Sequence, residues 1–165
     1  MKLMNKLVAT LFGIGYIKGG GTIAAAVTCC IIYFVWQTTW LQLPVAFLII
    51  GITIFFIGVY AGNKVEPYWG KDNYRVVIDE VAGMWITMLF IPANLWLLIA
   101  GFILFRFFDM VKPHYIKSME KLPGGVGVMM DDVLAGAYAN IVLQMFIYLV
   151  IPHISNTAFN ISLRA

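Results

Sequence analysis

Charge is what this sequence has least of. Only 12% of its 165 residues are Asp, Glu, Lys or Arg, about half the share of a soluble domain. Residues 19–63, 81–105 and 133–163 carry none of the four. Each run is long enough for a bilayer crossing, which takes about 20 apolar residues. Cysteine is scarce as well. Cys29 and Cys30 are adjacent and no CxxC spacing exists, which argues against a thiolate metal site or a redox centre. Inside an apolar run they are expected to be two small core residues. No GxxxxGK[ST] occurs, so a nucleotide P-loop is not indicated. There is no basic block either: the net charge of +3 is spread along loops, which argues against nucleic acid. What the chain has in quantity is hydrocarbon. Apolar residues make up 62% of it and the mean hydropathy is +0.89, as in an integral membrane protein.

The expected fold is all-α: one polytopic membrane bundle over residues 1–165, with four to five embedded helices and an N-terminal interfacial helix. The pattern predicts a short helix over residues 1–12, with Lys2 and Lys6 toward lipid head groups. A glycine-rich loop follows, and Thr22 is placed to cap the next helix. Spans are predicted over 22–36 and 43–61, joined by a connector whose Trp36 and Trp40 suit an interfacial belt. A turn-rich loop with Pro67 and Gly70 comes next. Pro92-Ala93-Asn94 reads as the turn of a helical hairpin, with arms over 76–91 and 95–108. With a cytoplasmic N-terminus the hairpin puts every Lys and Arg except Arg164 on the cytoplasmic side, as the positive-inside tendency requires. A last span is predicted from Asp132 to Ile151, ended by Pro152, with His153 interfacial and a weakly ordered tail.

All eight acidic residues lie between Glu66 and Asp132. Under the hairpin topology three acidic clusters reach one membrane depth: Asp79 with Glu80, then Asp109, then Asp131 with Asp132. Arg106, Asp109 and Lys112 follow one another at three-residue spacing on one helix face, which Pro113 ends. Asp132, Ala135, Gly136 and Ala139 share a face whose small residues admit a partner helix, and Ala82 and Gly83 do the same beside Asp79. Carboxylates without a soft ligand suit Mg²⁺, which joins one or two of them to phosphate oxygens. Arg106 and Lys112 are natural phosphate clamps. A bland alternative is that the i,i+3 pairs merely cap the bundle. It leaves Asp79, Glu80, Asp131 and Asp132 unexplained, since five clustered carboxylates repel strongly without a metal.

Three segments, VVIDEVAGMWIT (76–87), FRFFDMVKP (105–113) and GGVGVMMDDVLAG (124–136), closely resemble the phosphatidylglycerophosphatase A family. GGGTIAAAV (19–27) is similar to its Gly-Thr/Ser-rich N-terminal motif, with Thr22 in place of the family's serine and Lys18-Gly19 in place of a Gly-Thr step. The resemblance implies a Mg²⁺-dependent enzyme of the bacterial inner membrane that hydrolyses phosphatidylglycerophosphate to phosphatidylglycerol and phosphate at the cytoplasmic face. By position it implicates Asp79, Glu80, Arg106, Asp109, Lys112, Asp131 and Asp132.

The expected chemistry is metal-assisted hydrolysis of a phosphomonoester. Asp79, Asp109 and Asp132 hold the ion, while Glu80 and Asp131 are either further ligands or the general base. Arg106 and Lys112 neutralise the phosphoryl oxygens. Lys18, Thr22 and the glycine loop take the second phosphate or head group. A covalent route is disfavoured, because no DxDxT-like, Cys-x₅-Arg or SGH-type motif is present. A cation transporter is the first rival, disfavoured because the acids lie at one face rather than at mid-bilayer. A non-enzymatic scaffold is the second. The partners expected are the lipid substrate and surrounding membrane lipids, with no nucleic acid; oligomeric state is not legible.

Overall fold

The computed structural model describes residues 3–38, 44–71, 73–119 and 121–149. Trp40, Pro152, His153 and the tail, on which some expectations fell, lie outside them. Among the described residues the chain is all-helical, in seven α-helices: α1 (Leu3–Ala9), α2 (Gly20–Trp36), α3 (Pro44–Trp69), α4 (Ile78–Thr87), α5 (Leu95–Val111), α6 (His114–Met119) and α7 (Gly124–Leu149). A single 3₁₀ turn over Ile14–Tyr16 precedes α2.

The shortest of the inner helices organises the rest. With ten residues α4 is about 15 Å long, half of a bilayer core. It nevertheless buries eight of those ten residues, because α2, α3, α5 and α7 all pack around it and α7 does so most extensively. Small residues allow this. A Cβ added at Gly136 would run into the Gly83 carbonyl, and one at Gly83 would meet the Phe105 ring. The expected face of Asp132, Ala135, Gly136 and Ala139 is buried throughout.

The far end of α4 is closed by specific hydrogen bonds. Asn140 of α7 donates through Nδ2 to the carbonyls of Thr87 (2.9 Å) and Leu89 (2.8 Å), two groups that the helix end cannot satisfy itself. The Trp85 indole donates to the Phe47 carbonyl of α3 at 2.9 Å and stacks on the Phe47 ring, centroids 4.4 Å apart. The turn after α4 is the one expected at 92–94. Asn94 caps α5, accepting from the backbone N–H groups of Trp96 and Leu97.

Several boundaries differ from expectation. The last long helix starts at Gly124, not at Asp132, so Asp131 and Asp132 sit two turns inside it. Its N-terminus is capped from α3, where Asn63 Oδ1 accepts from the Gly125 N–H at 2.7 Å. Gly62 and Gly125 also bring the two backbones together. That docking extends α3 to Trp69, through Pro67, where a loop was expected. At the other end Gly19, left-handed at φ 78°, caps α2, so Thr22 lies in its first turn rather than at the cap. Trp36 is buried rather than interfacial, and Cys30 is exposed rather than core.

Two helices, α3 and α7, are long and apolar enough to cross a membrane. Their outward faces are hydrocarbon, with Ile49, Ile52 and Phe56 on α3 and Met145, Phe146 and Leu149 on α7 exposed. A patch of that size is a liability in water and fits a membrane protein.

Candidate active site

Four helix segments meet at one cavity of about 520 Å³. The first turn of α4 supplies Asp79 and Glu80, acidic groups at the positive end of a helix dipole. Its start is fixed by the Val77 N–H, which donates to the Ala9 carbonyl at the end of α1 (2.9 Å). The last two turns of α5 supply Arg106 and Asp109, joined in an ion pair at 2.6 Å. Lys112 follows at the C-cap in a left-handed conformation, φ 43°. There the chain turns toward α7, and Lys112 Nζ lies 2.7 Å from Asp131 Oδ2. Asp132 comes from the same turn of α7. The loop before α2 completes the wall with Lys18, the glycines 19–21 and Thr22.

All nine residues expected at the site therefore line one cavity: Lys18, Thr22, Asp79, Glu80, Arg106, Asp109, Lys112, Asp131 and Asp132. The tightest group is smaller than the expected set. Asp79, Glu80 and Asp132 each offer a carboxylate oxygen, all within 4.8 Å of one another. Asp109, expected among the metal-holding acids, is outside that trio; it is paired with Arg106 and lies against Asp132. Glu80 is also pressed against α2, where a Cβ at Gly21 would collide with its carboxylate. Glycine at 21 is what lets the α2 backbone approach the acid.

The electrostatics favour a cation. Five carboxylates line the cavity with only three cationic side chains. Glu80 Oε2 is buried with no hydrogen-bond partner, which costs about 1–3 kcal/mol or more for a charged group unless something fills the gap. Among the described residues no His or Cys joins the cluster. Three clustered hard oxygen donors, surplus negative charge and an orphaned carboxylate oxygen together fit a hard divalent ion.

Other residues at the cavity were not singled out from the sequence. Tyr16, Asn73 and Tyr74 line its mouth. Beside them, Arg75 is held among the rings of Tyr74 (5.2 Å), Tyr16 and Trp69 (both 5.9 Å), a cation–π arrangement outside the cavity lining. The only signal was position: Asn-Tyr-Arg immediately precedes the VVIDE segment.

The chain matches the phosphatidylglycerophosphatase A family over residues 7–147. A Bacteroides thetaiotaomicron protein, provisionally named a phosphatidylinositol-3-phosphatase, is 43% identical over 146 residues, covering 84% of this chain and 91% of the relative. Phosphatidylglycerophosphatase A of Haemophilus influenzae is 43% identical over 100 residues, 59% of this chain and 61% of the relative. The Escherichia coli protein of the same name is 42% identical over 83 residues, 48% of each. No solved structure matches. The match over residues 7–147 takes in the acidic trio and the two cations beside it, Arg106 and Lys112, and the chain belongs to the phosphatidylglycerophosphatase A family, as a phosphatase acting on phosphoric monoesters.

Proposed function

We propose that the chain is a Mg²⁺-dependent lipid phosphatase of the bacterial inner membrane, converting phosphatidylglycerophosphate to phosphatidylglycerol and inorganic phosphate in glycerophospholipid synthesis. One observation carries this reading: three clustered carboxylates face an arginine and a lysine in a single cavity of a membrane-type bundle. Asp79, Glu80 and Asp132 hold the ion, which when bound supplies positive charge to the phosphoryl group. Arg106 and Lys112 bind the remaining phosphoryl oxygens, and Asp109 and Asp131 fix the two cations by the ion pairs described. These cations stabilise charge that grows on the phosphoryl oxygens as the P–O ester bond breaks. Water attacks phosphorus as the P–O ester bond breaks, its proton passes to Asp109 or Asp131, and that acid returns it to the departing alkoxide, so the lipid alcohol and inorganic phosphate leave. Lys18 and the N–H groups at the start of α2 receive the second, diester phosphate.

The Bacteroides relative is named for a phosphomonoester on a different head group; both substrates are diacyl lipids with a terminal phosphate. Purified protein in detergent is expected to release phosphate from phosphatidylglycerophosphate faster than from phosphatidylinositol 3-phosphate. Preference for the inositol lipid would reassign the head group, and release from neither would defeat the reading. Treatment with EDTA is expected to abolish turnover and added Mg²⁺ to restore it. Full turnover in metal-free protein would remove the ion from the mechanism.

In the membrane, α2, α3 and α7 cross, and α4 and α5 form a hairpin that enters from the cytoplasm and returns to it. Lys71 and Lys117 then lie on one side. Replaced singly by Cys in a Cys29→Ser, Cys30→Ser background, both are expected to react with an impermeant thiol reagent only from the cytoplasm. Opposite sidedness would overturn the hairpin and the cytoplasmic site.

A further inference from the structure

The cavity uses only one end of the seam between α2 and α5. Thr22 on α2 and Arg106 on α5 mark that end. Four-residue steps along α2 lead from Thr22 to Ala26, Cys30 and Phe34, a single exposed stripe. On α5, steps of three or four lead back from Arg106 to Phe102, Ile99 and Leu95. These six residues past Thr22 and Arg106 line a second groove of about 500 Å³, whose walls expose almost no polar atom. Thr22 to Ala26 and Arg106 to Phe102 are each one helical turn, about 5.4 Å. The apolar groove thus begins one helical turn beyond the polar cavity along the same pair of helices.

We infer that this groove seats an acyl chain of the phospholipid whose phosphomonoester lies in the cavity. The inference rests on the lipid-phosphatase reading and adds to it the place of the tail. Its chemistry follows from the two ends. Hydrocarbon does not belong among five carboxylates and three cations, and a head group in the groove would lose its hydrogen bonds. An amphiphile with both parts has one orientation, phosphate toward Arg106 and Lys112, tail toward Phe34 and Leu95. From Ala26 to Phe34 the groove runs about 12 Å along α2. Bilayer tails are as apolar as the groove walls, so seating a chain there gains little transfer energy. Its effect is on position: a seated chain sets how deeply the phosphate enters and which way its ester oxygen points. The groove exists because Ala26 and Cys30 are small at exposed positions of α2, where larger side chains can be accommodated without entering the core.

The test uses purified full-length protein and two kinds of variant. Ala26→Phe and Cys30→Trp fill the groove and leave every cavity residue in place. On long-chain phosphatidylglycerophosphate their kcat/KM is expected to fall by on the order of tenfold or more, with unchanged thermal unfolding. The same lipid with a diazirine near the end of one acyl chain is expected to label α2 and α5, and Ala26→Phe to abolish that labelling. Excess unlabelled phosphatidylglycerophosphate should compete; excess phosphatidylcholine should not. Wild-type activity in both filled variants would overturn the inference. So would labelling spread evenly over the outer faces of α3 and α7, or labelling displaced equally by phosphatidylcholine, which marks bulk lipid only. Efficient Cys30–Cys30 crosslinking between copies would put a second chain in the groove and overturn it too. If wild-type protein releases no phosphate from the lipid, the phosphatase reading itself fails, a result distinct from loss confined to the filled variants.

Discussion

At its C-terminal end α4 is finished by neutral groups: Asn140 satisfies two stray carbonyls, and the Trp85 indole finds the Phe47 carbonyl. At its N-terminal end, about two turns away, the same helix carries two acids facing three more, and Glu80 Oε2 is left without a hydrogen-bond partner. Both ends are packed against α7, so that contact alone does not distinguish them. The difference lies in what completes the hydrogen bonding. A structural end closes on itself with amide and indole groups, whereas the other end leaves a buried carboxylate oxygen open to a ligand from outside the chain.

That contrast is broken most severely at the acids. Asp132→Asn and Asp109→Asn, each nearly isosteric, are expected to lower turnover by on the order of 10²-fold or more while thermal unfolding stays near wild type. The double variant should lose far less than the product of the two, as residues of one catalytic unit do. Near-full phosphate release by folded single variants would erase the distinction between the ends. Gly136→Val strikes the contact that both ends share. Its side chain meets the Gly83 carbonyl, and overpacking of this kind costs about 1–3 kcal/mol. A lower unfolding temperature and reduced activity together are expected; an unchanged melt would show that α4 and α7 are not tightly docked there. The smallest effect is expected at Asn140→Leu. Two carbonyls lose their donor, for about 1–3 kcal/mol of stability, while phosphate release by the folded protein is retained. Loss of activity without loss of stability would make the closed end part of the chemistry.

The site was legible because charge is rare here. Asp79, Glu80, Arg106, Asp109, Lys112, Asp131 and Asp132 stand out against uncharged runs, and the hairpin turn at 92–94 was enough to bring them to one end. Helix faces were much harder to read. In α2, α3 and α7 apolar residues occupy every side, so periodicity cannot separate lipid-facing from buried positions, and Cys30 and Trp36 were assigned the wrong way round. The start of α7 was hidden for another reason. Gly124, Gly125 and Gly127 disfavour a helix by up to about 1 kcal/mol each, so the segment reads as a connector. Packing against Gly58 and Gly62 of α3 and the cap from Asn63 override that preference. Neither contact leaves a trace in local sequence, and with them came the extension of α3 beyond Pro67.

The shortness of α4 has a consequence for how the protein is made. A helix of about 15 Å, carrying two acids at its mouth, has no stable place in lipid by itself. Its principal partner, α7, is synthesised after it. During translation the segment with Asp79 and Glu80 is therefore made before the helix that covers it most. Completion of the cavity is thus a late event in biogenesis, and a nascent chain halted before Gly124 holds its first two acids without the helix that packs most extensively on α4.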